Sequence, residues 1–242
     1  MGSERIFPPA SPLAPVRYLL IDADGTLFNS MPRYAAIFAQ TLSPQGIPEE
    51  ASALYYLRTA GTDLAEQYHG CLADNGVRGK IDELTEQFFA QVSAQEFPLF
   101  PDVPQVLPRL SAYEKFVITG TAQDTISTRC ARAAIALYFS GIYGHQAELP
   151  TKRSAIEYLA STRPNFSAQT VYVTDGIADI RLAHALGIRC IARIGTHTAK
   201  ELGKEDPRFL MANFIALEKF LGFLAREATS PAADSSHLPR ST

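Results

Sequence analysis

Two carboxylates standing two residues apart close an apolar run in the stretch YLLIDADGTLFNS, residues 18–30. Asp22 and Asp24 follow Tyr18–Ile21 directly, and Gly25 and Thr26 come next. Three other points of the chain carry groups of matching chemistry. KFVIT (115–119) ends in Thr119, with Gly120 and Thr121 behind it. TVYVT (170–174) runs into Asp175 and Gly176, with Asp179 one helical turn further on. Lys152 opens the helical pattern that precedes that run. Four carboxylates brought together resist ionising together. A divalent cation removes the conflict, and an all-oxygen set favours a hard ion such as Mg²⁺. Lys152, the Thr119 hydroxyl and backbone N–H groups freed by Gly25 and Gly120 attract an anion. A metal beside an anion cradle describes phosphate. One carboxylate facing a bound phosphate can attack it and form an aspartyl-phosphate. A second, two residues on, can protonate the leaving oxygen and then take a proton from the water that hydrolyses the intermediate.

Such a site needs elements that deliver its groups to one crevice. Four short, nearly continuous apolar runs read as strands buried on both faces: VRYLLI (16–21), KFVIT (115–119), TVYVT (170–174) and IRCIARI (188–194). Helical spacing separates the last three, in residues 123–139, 152–161 and 178–187, the last closing on Gly187. Alternating strands and helices predict an α/β fold, a Rossmann-like, doubly wound parallel sheet. In such sheets ligands bind at the carboxyl ends of the strands, near the switch point. That is where Asp22, Asp24, Thr119, Gly120 and Asp175 fall. Residues 209–224 predict a last short strand and a closing helix, and DVPQVLPRL (102–110) the helix before the second strand. The stretch between the first two strands far exceeds a simple crossover. It reads as four helices, which predicts an inserted all-α domain at residues 31–98. The core then comprises residues 15–30 and 99–226. Residues 1–14 read as a flexible N-terminal segment and 227–242, small, polar and Pro-containing, as a disordered tail.

Composition excludes several function classes. The chain has 242 residues, enough for a core carrying one inserted unit, and is 46% apolar and 19% charged. Net charge is −3 with no basic block, so no nucleic-acid footprint is present. No apolar run reaches the length of a membrane span. The N-terminus lacks an unbroken apolar h-region, and Ile6 stands where a myristoylation motif needs Ser or Thr. Cys71, Cys130 and Cys190 are widely spaced and odd in number, forming no metal or disulfide pattern. These features predict a cytoplasmic protein in a reducing compartment.

The motifs together resemble the haloacid dehalogenase (HAD) superfamily. Asp22-Ala23-Asp24-Gly25-Thr26-Leu27 matches its first motif, Val117-Ile118-Thr119-Gly120 its second, Lys152 the lysine of its third, and Val171–Asp175 with Asp179 its fourth. The resemblance covers about residues 14–225. The helical insert and the return segment LFPDVPQVLPRL are similar to the phosphoglycolate phosphatase-like subgroup with an α-helical cap. It implies a Mg²⁺-dependent phosphatase acting on a small phosphomonoester. Asp22 would be nucleophile and Mg²⁺ ligand. Asp24 would be general acid/base, its backbone carbonyl on the metal. Thr119, Gly120 and Lys152 would hold the phosphoryl oxygens, and Lys152 would also offset the charge on Asp22. Asp175 would ligate the metal, with Asp179 a ligand or its outer partner. Two positions depart from the pattern. Thr174 precedes Asp175 where Gly, Asp or Glu is common, and Gly120 follows Thr119 where Asn is common.

Competing readings are weaker. An EF-hand reading of Asp22-x-Asp24-Gly25 fails, because Leu27 and Arg33 occupy the sixth and twelfth positions. Asp179 also suits a helix first turn for dipole reasons alone. A β-phosphoglucomutase-type phosphomutase lacks its expected His in MPRYAAIFAQ, and Asp24 argues against a dehalogenase. A catalytically idle phosphate-binding regulatory member is the alternative of a different class. His145, His184 and His69 read as solvated or packed. Arg33, Arg58 and the turn Thr59-Ala60-Gly61-Thr62 read as surface and an ordinary helix–helix turn. Tyr55, Tyr56, Phe88 and Phe89 read as the core of the helical insert. The substrate within the phosphomonoesters and the oligomeric state, monomer or homodimer, stay open.

Overall fold

The computed structural model describes residues 14–229. Its centre is strand β1 (Tyr18–Ile21), all four residues of which are buried. Leu19 and Ile21 enter one apolar cluster and Tyr18 and Leu20 another, on opposite faces of the sheet. An unbroken apolar run is what a strand covered on both sides requires. β1 is followed by four helices: α1 (Met31–Leu42), α2 (Glu49–Arg58), α3 (Leu64–Asp74) and α4 (Ile81–Ser93). The short α5 (Val103–Val106) then leads to β2 (Glu114–Ala122), α6 (Gln123–Arg132) and β3 (Gly141–His145). The remainder alternates: α7 (Lys152–Ser161), β4 (Thr170–Thr174), α8 (Ile177–Ala185), β5 (Arg189–Arg193), α9 (Ala199–Gly203), β6 (Phe209–Met211) and α10 (Phe214–Thr229). All six strands are parallel, in the order β3-β2-β1-β4-β5-β6. The α/β, Rossmann-like open sheet is therefore present.

This order decides where the chemistry sits. The chain leaves β1 towards β2 on one side and returns to β4 on the other, so β1 lies at the switch point. Ile21 pairs with Val117 of β2 and with Val173 of β4. The residues just past these partners are therefore side by side at one edge of the sheet. Local signals place the helices that follow. Thr151 caps α7 by accepting from the Ser154 N–H, with the Ser154 hydroxyl answering the Thr151 N–H. Asp63 caps α3 by accepting from the N–H groups of Ala65 and Glu66.

Four expectations about elements need correction. β2 continues past Thr119 to Ala122, with a register shift against β3 between Ile118 and Ala122. β3 is a strand beyond the five read from the sequence. It is a five-residue edge strand with glycines at 141 and 144 and is mostly half-exposed, so it carries no apolar run. The helix expected over 123–139 stops at Arg132, where Ala134 turns left-handed (φ 55°). Residues 102–110 form α5 and then a 3₁₀ turn at Leu107–Leu110, because Pro108 cannot continue the α ladder. The expected flexible segment at 1–14 and tail at 227–242 lie outside the described residues, apart from residue 14 and residues 227–229, which continue α10. Among the described residues no helix is long and apolar enough to cross a membrane.

Candidate active site

Beyond Ile21 the chain enters a tight turn. The Leu27 and Phe28 N–H groups both donate to the Ala23 carbonyl, and the Ala23 N–H donates to Asp22 Oδ1 (2.8 Å). Gly25 has φ 74°, and a Cβ there would collide with the Asp175 carboxylate. Only glycine suits both the left-handed backbone and that approach. The sequence reading has its amide free for an anion; the structure corrects this, because the amide donates to the Phe28 carbonyl.

Lys152 joins two of the carboxylates. Its Nζ lies 2.7 Å from Asp179 Oδ2 and 3.0 Å from Asp22 Oδ1. Burial opposes the lysine's charge, but Asp179 and Asp22 outweigh it and hold the ammonium protonated well above its ordinary range. Asp22 is pushed up by burial, against the pull of Lys152, with Asp179 and Asp175 adding to the rise. Asp175 is raised by burial to about 6, although hydrogen bonds from Thr196 and Thr26 and the charge of Lys152 oppose this. The Thr174 hydroxyl donates to Asp179 Oδ2 (2.8 Å). Thr174 thus helps hold the Asp179 carboxylate against Lys152.

Asp24 faces elsewhere. Arg129 Nη1 donates to Asp24 Oδ1 (2.7 Å), the Tyr34 hydroxyl to the same oxygen (3.0 Å) and the Thr121 hydroxyl to Oδ2 (2.8 Å). Arg129 Nη2 also donates to the Tyr34 oxygen (3.1 Å), and its guanidinium lies over the rings of Phe97 (4.6 Å) and Phe28 (5.4 Å). Sequence reasoning missed Arg129, Tyr34, Thr121 and Thr196. An arginine amid the polar residues of TISTRCAR reads as solvated, and only its spacing from Ile126 hints otherwise.

Asp22, Asp24, Thr119, Gly120, Lys152, Asp175 and Asp179 all line one cleft. Thr119 is buried and accepts from the Thr121 N–H (3.2 Å); Gly120 is exposed at the crevice. Four carboxylates do not converge on one point. Among the described residues no group of three or more His, Cys, Asp or Glu side chains is gathered to hold a metal ion. Asp179 is engaged by Lys152 and Thr174, and the Asp24 side chain by Arg129. The buried charge is nonetheless unbalanced, with Asp22, Asp175 and Asp179 against the single ammonium of Lys152. An excess of oxygen donors that burial keeps reluctant to ionise fits a hard divalent cation at Asp22 and Asp175. From Asp24 only the main-chain carbonyl remains to offer.

The cleft has a volume of about 1470 Å³ and lies between α1, α3 and α4 and the strand ends. The turn Ala60-Gly61-Thr62 joins α2 to α3, as read from the sequence, and also lines the cleft, where a Gly61 Cβ would lie 3.4 Å from the Ala178 Cβ of α8. Phe88 and Tyr56 pack inside the helical segment as expected, but Phe89 is 55% exposed. His145 lines the cleft and its Nδ1 lies 2.9 Å from the Pro150 carbonyl; His184 and His69 are exposed. Arg33 is bound to Gln95 (2.8 Å), and Arg58 does not line the cleft.

Comparison with known proteins agrees with this geometry. A sequence model of the haloacid dehalogenase-like hydrolases matches residues 19–193. A phosphoglycolate phosphatase of Yersinia pseudotuberculosis is 27% identical over 217 residues, covering 86% of this chain and 94% of that one. Among solved structures, a haloacid dehalogenase-like family hydrolase of Streptococcus pneumoniae superposes with a TM-score of 0.73 at 23% identity, over 85% of this chain and 98% of that one. A HAD-hydrolase of Bacillus subtilis, solved bound to magnesium and described as showing interdomain movement, gives 0.64 at 15% identity, over 86% and 99%. The structural likenesses show the fold; the sequence match spans the motifs from β1 to β5. The chain belongs to the haloacid dehalogenase-like hydrolase family.

Proposed function

We propose that this protein is a Mg²⁺-dependent phosphatase that hydrolyses a small phosphomonoester through an aspartyl-phosphate on Asp22. One observation carries the reading. The buried Asp22 carboxylate ends the central strand with Lys152 Nζ 3.0 Å away, and the buried Asp175 and Asp179 share the charge of that one ammonium. A buried nucleophile with one adjacent cation suits a phosphoryl group, whose oxygens Lys152 neutralises while Asp22 attacks phosphorus. The bond from phosphorus to the leaving oxygen breaks, and Asp24, protonated and released from its pairing with Arg129, supplies the proton. Asp24 then takes a proton from the water that cleaves the aspartyl-phosphate, releasing phosphate and restoring Asp22. Thr119, with the backbone at Gly120, holds the phosphoryl oxygens.

Asp22, Asp175 and the Asp24 carbonyl would hold Mg²⁺, with Asp179 behind them. When bound, the ion supplies charge neutralisation for the phosphoryl oxygens and the carboxylates. The magnesium-bound Bacillus relative and the phosphatase named in Yersinia support this reading. Residues 31–98 act as a cap over a core of residues 15–30 and 99–226, excluding water from the reacting groups.

Phosphate release from a panel of phosphomonoesters tests the proposal. Asp22→Asn should abolish release, with a loss of at least about 10³-fold, and EDTA should abolish it until Mg²⁺ is restored. Release that survives Asp22→Asn, or that ignores EDTA, overturns it.

A further inference from the structure

The cleft also carries information about the part of the substrate that is not phosphate. It is larger than most small-ligand pockets, which run to about 300–1,000 Å³, and only its floor is taken by the reacting groups. Above them stands an apolar wall from the helical segment: Phe89 and Val92 of α4, Leu64 of α3, Met31 of α1 and Leu99 of the return segment. Phe89 meets the buried Phe88 edge-on, with centroids 5.7 Å apart at 84°, and more than half its surface stays open. An exposed phenyl ring beside other apolar lining residues marks a contact surface.

Charge points the same way. Among the described residues lining the cleft, the Lys152 ammonium is bound to Asp22 and Asp179, and the Arg129 guanidinium to Asp24. Outside this reacting set the charged lining residues are Glu96, Asp124 and Arg132, two carboxylates against one guanidinium. His145 has its Nδ1 directed at the Pro150 carbonyl. A second anion on the substrate would meet a wall with no net positive charge, and desolvating it there is costly. We infer that the cleft selects a phosphomonoester whose organic part is uncharged, apolar and aromatic, with its ring against Phe89. This rests on the phosphatase reading, and it sets the chain apart from the phosphoglycolate named for its relatives, whose organic part is a small carboxylate.

The test compares benzyl phosphate with 2-phosphoglycolate on the Mg²⁺-loaded enzyme. The wild type should favour benzyl phosphate in kcat/KM by at least about tenfold, the scale on which a shaped apolar pocket discriminates. Phe89→Ser, at an exposed position whose loss leaves the core intact, should raise KM for benzyl phosphate by about three- to tenfold, the range of an aromatic contact, and narrow the ratio between the esters. Calorimetry on Asp22→Asn should show benzylphosphonate binding more tightly than phosphonoacetate. Equal or better turnover of 2-phosphoglycolate, or indifference to Phe89→Ser, overturns the inference and leaves the phosphatase reading standing. Release of phosphate from neither ester overturns the inference, and release from no member of the phosphomonoester panel overturns the phosphatase reading as well.

Discussion

At Gly25, chain conformation and site chemistry meet in one residue. Its φ of 74° and the closeness of the Asp175 carboxylate leave no room for a side chain. Gly25→Ala must either strain the turn that presents Asp22 and Asp24 or push Asp175 off its bonds from Thr26 and Thr196. Stability should fall by about 1–3 kcal/mol, measured by urea unfolding. The kcat/KM for phosphate release should fall by at least about 10²-fold, as misplacement of a reacting group by about 1 Å does. An alanine variant with wild-type kinetics would show that the approach to Asp175 is not required. The residues of the proposed reaction, Asp22, Asp24, Lys152 and Asp175, were legible as types in short motifs. Their bonding was not: Gly25 spends its amide on Phe28, and Asp24 faces a guanidinium.

Among the elements, α6 and α1 meet through Arg129 and Tyr34, and this contact ties the helical segment to the core above Asp24. α6 buries Ile126 and Cys130, which turns Arg129 towards the cleft rather than to solvent. The guanidinium is 11% exposed and Asp24 17%, so removing one partner leaves a poorly solvated charge. Arg129→Met should destabilise the protein by about 2–4 kcal/mol. Arg129→Lys should recover only part of that, because an ammonium cannot fork to Asp24 and Tyr34 while stacking on Phe97. Chemical denaturation of both variants measures the difference, and an Arg129→Lys variant as stable as the wild type would show that the fork and the stacking contribute nothing. Sequence periodicity located α6 but extended it over Ala134, since a left-handed alanine carries no signal of its own. It passed over β3 because an edge strand with two glycines shows no apolar run.

Over the whole molecule, the imbalance of buried charge links stability, pH and metal. The carboxyl of Asp175 is raised to about 6, and that of Asp22 is raised as well. A raised carboxyl favours the folded state below its unfolded value of 3.8, and that contribution is lost as pH climbs through the folded value. Ionising these groups therefore burdens the metal-free protein increasingly from about pH 4 to above pH 6. If Asp22 and Asp175 hold Mg²⁺ as proposed, the ion would relieve that burden and need both groups ionised, so its effect on stability should grow as pH rises from about 5 to about 7.5. At ten times its Kd the ion contributes about 1.4 kcal/mol, or roughly 3–6 °C in Tm for a chain of this size. Thermal melts with EDTA or Mg²⁺ at both pH values measure this, and a larger Mg²⁺ shift at the lower pH would overturn it. By itself the sequence determined the parallel α/β architecture and the oxygen-rich chemistry of the site. Buried strands need continuous apolar runs, and reacting groups cluster at strand ends, so both leave local patterns. Tertiary structure alone decided that Arg129 reaches Asp24 across a separation of 105 residues, that Thr174 braces Asp179, and that Phe89 opens into the cleft. Those contacts depend on strand order and helix docking, which bring together residues whose separation along the chain carries no period.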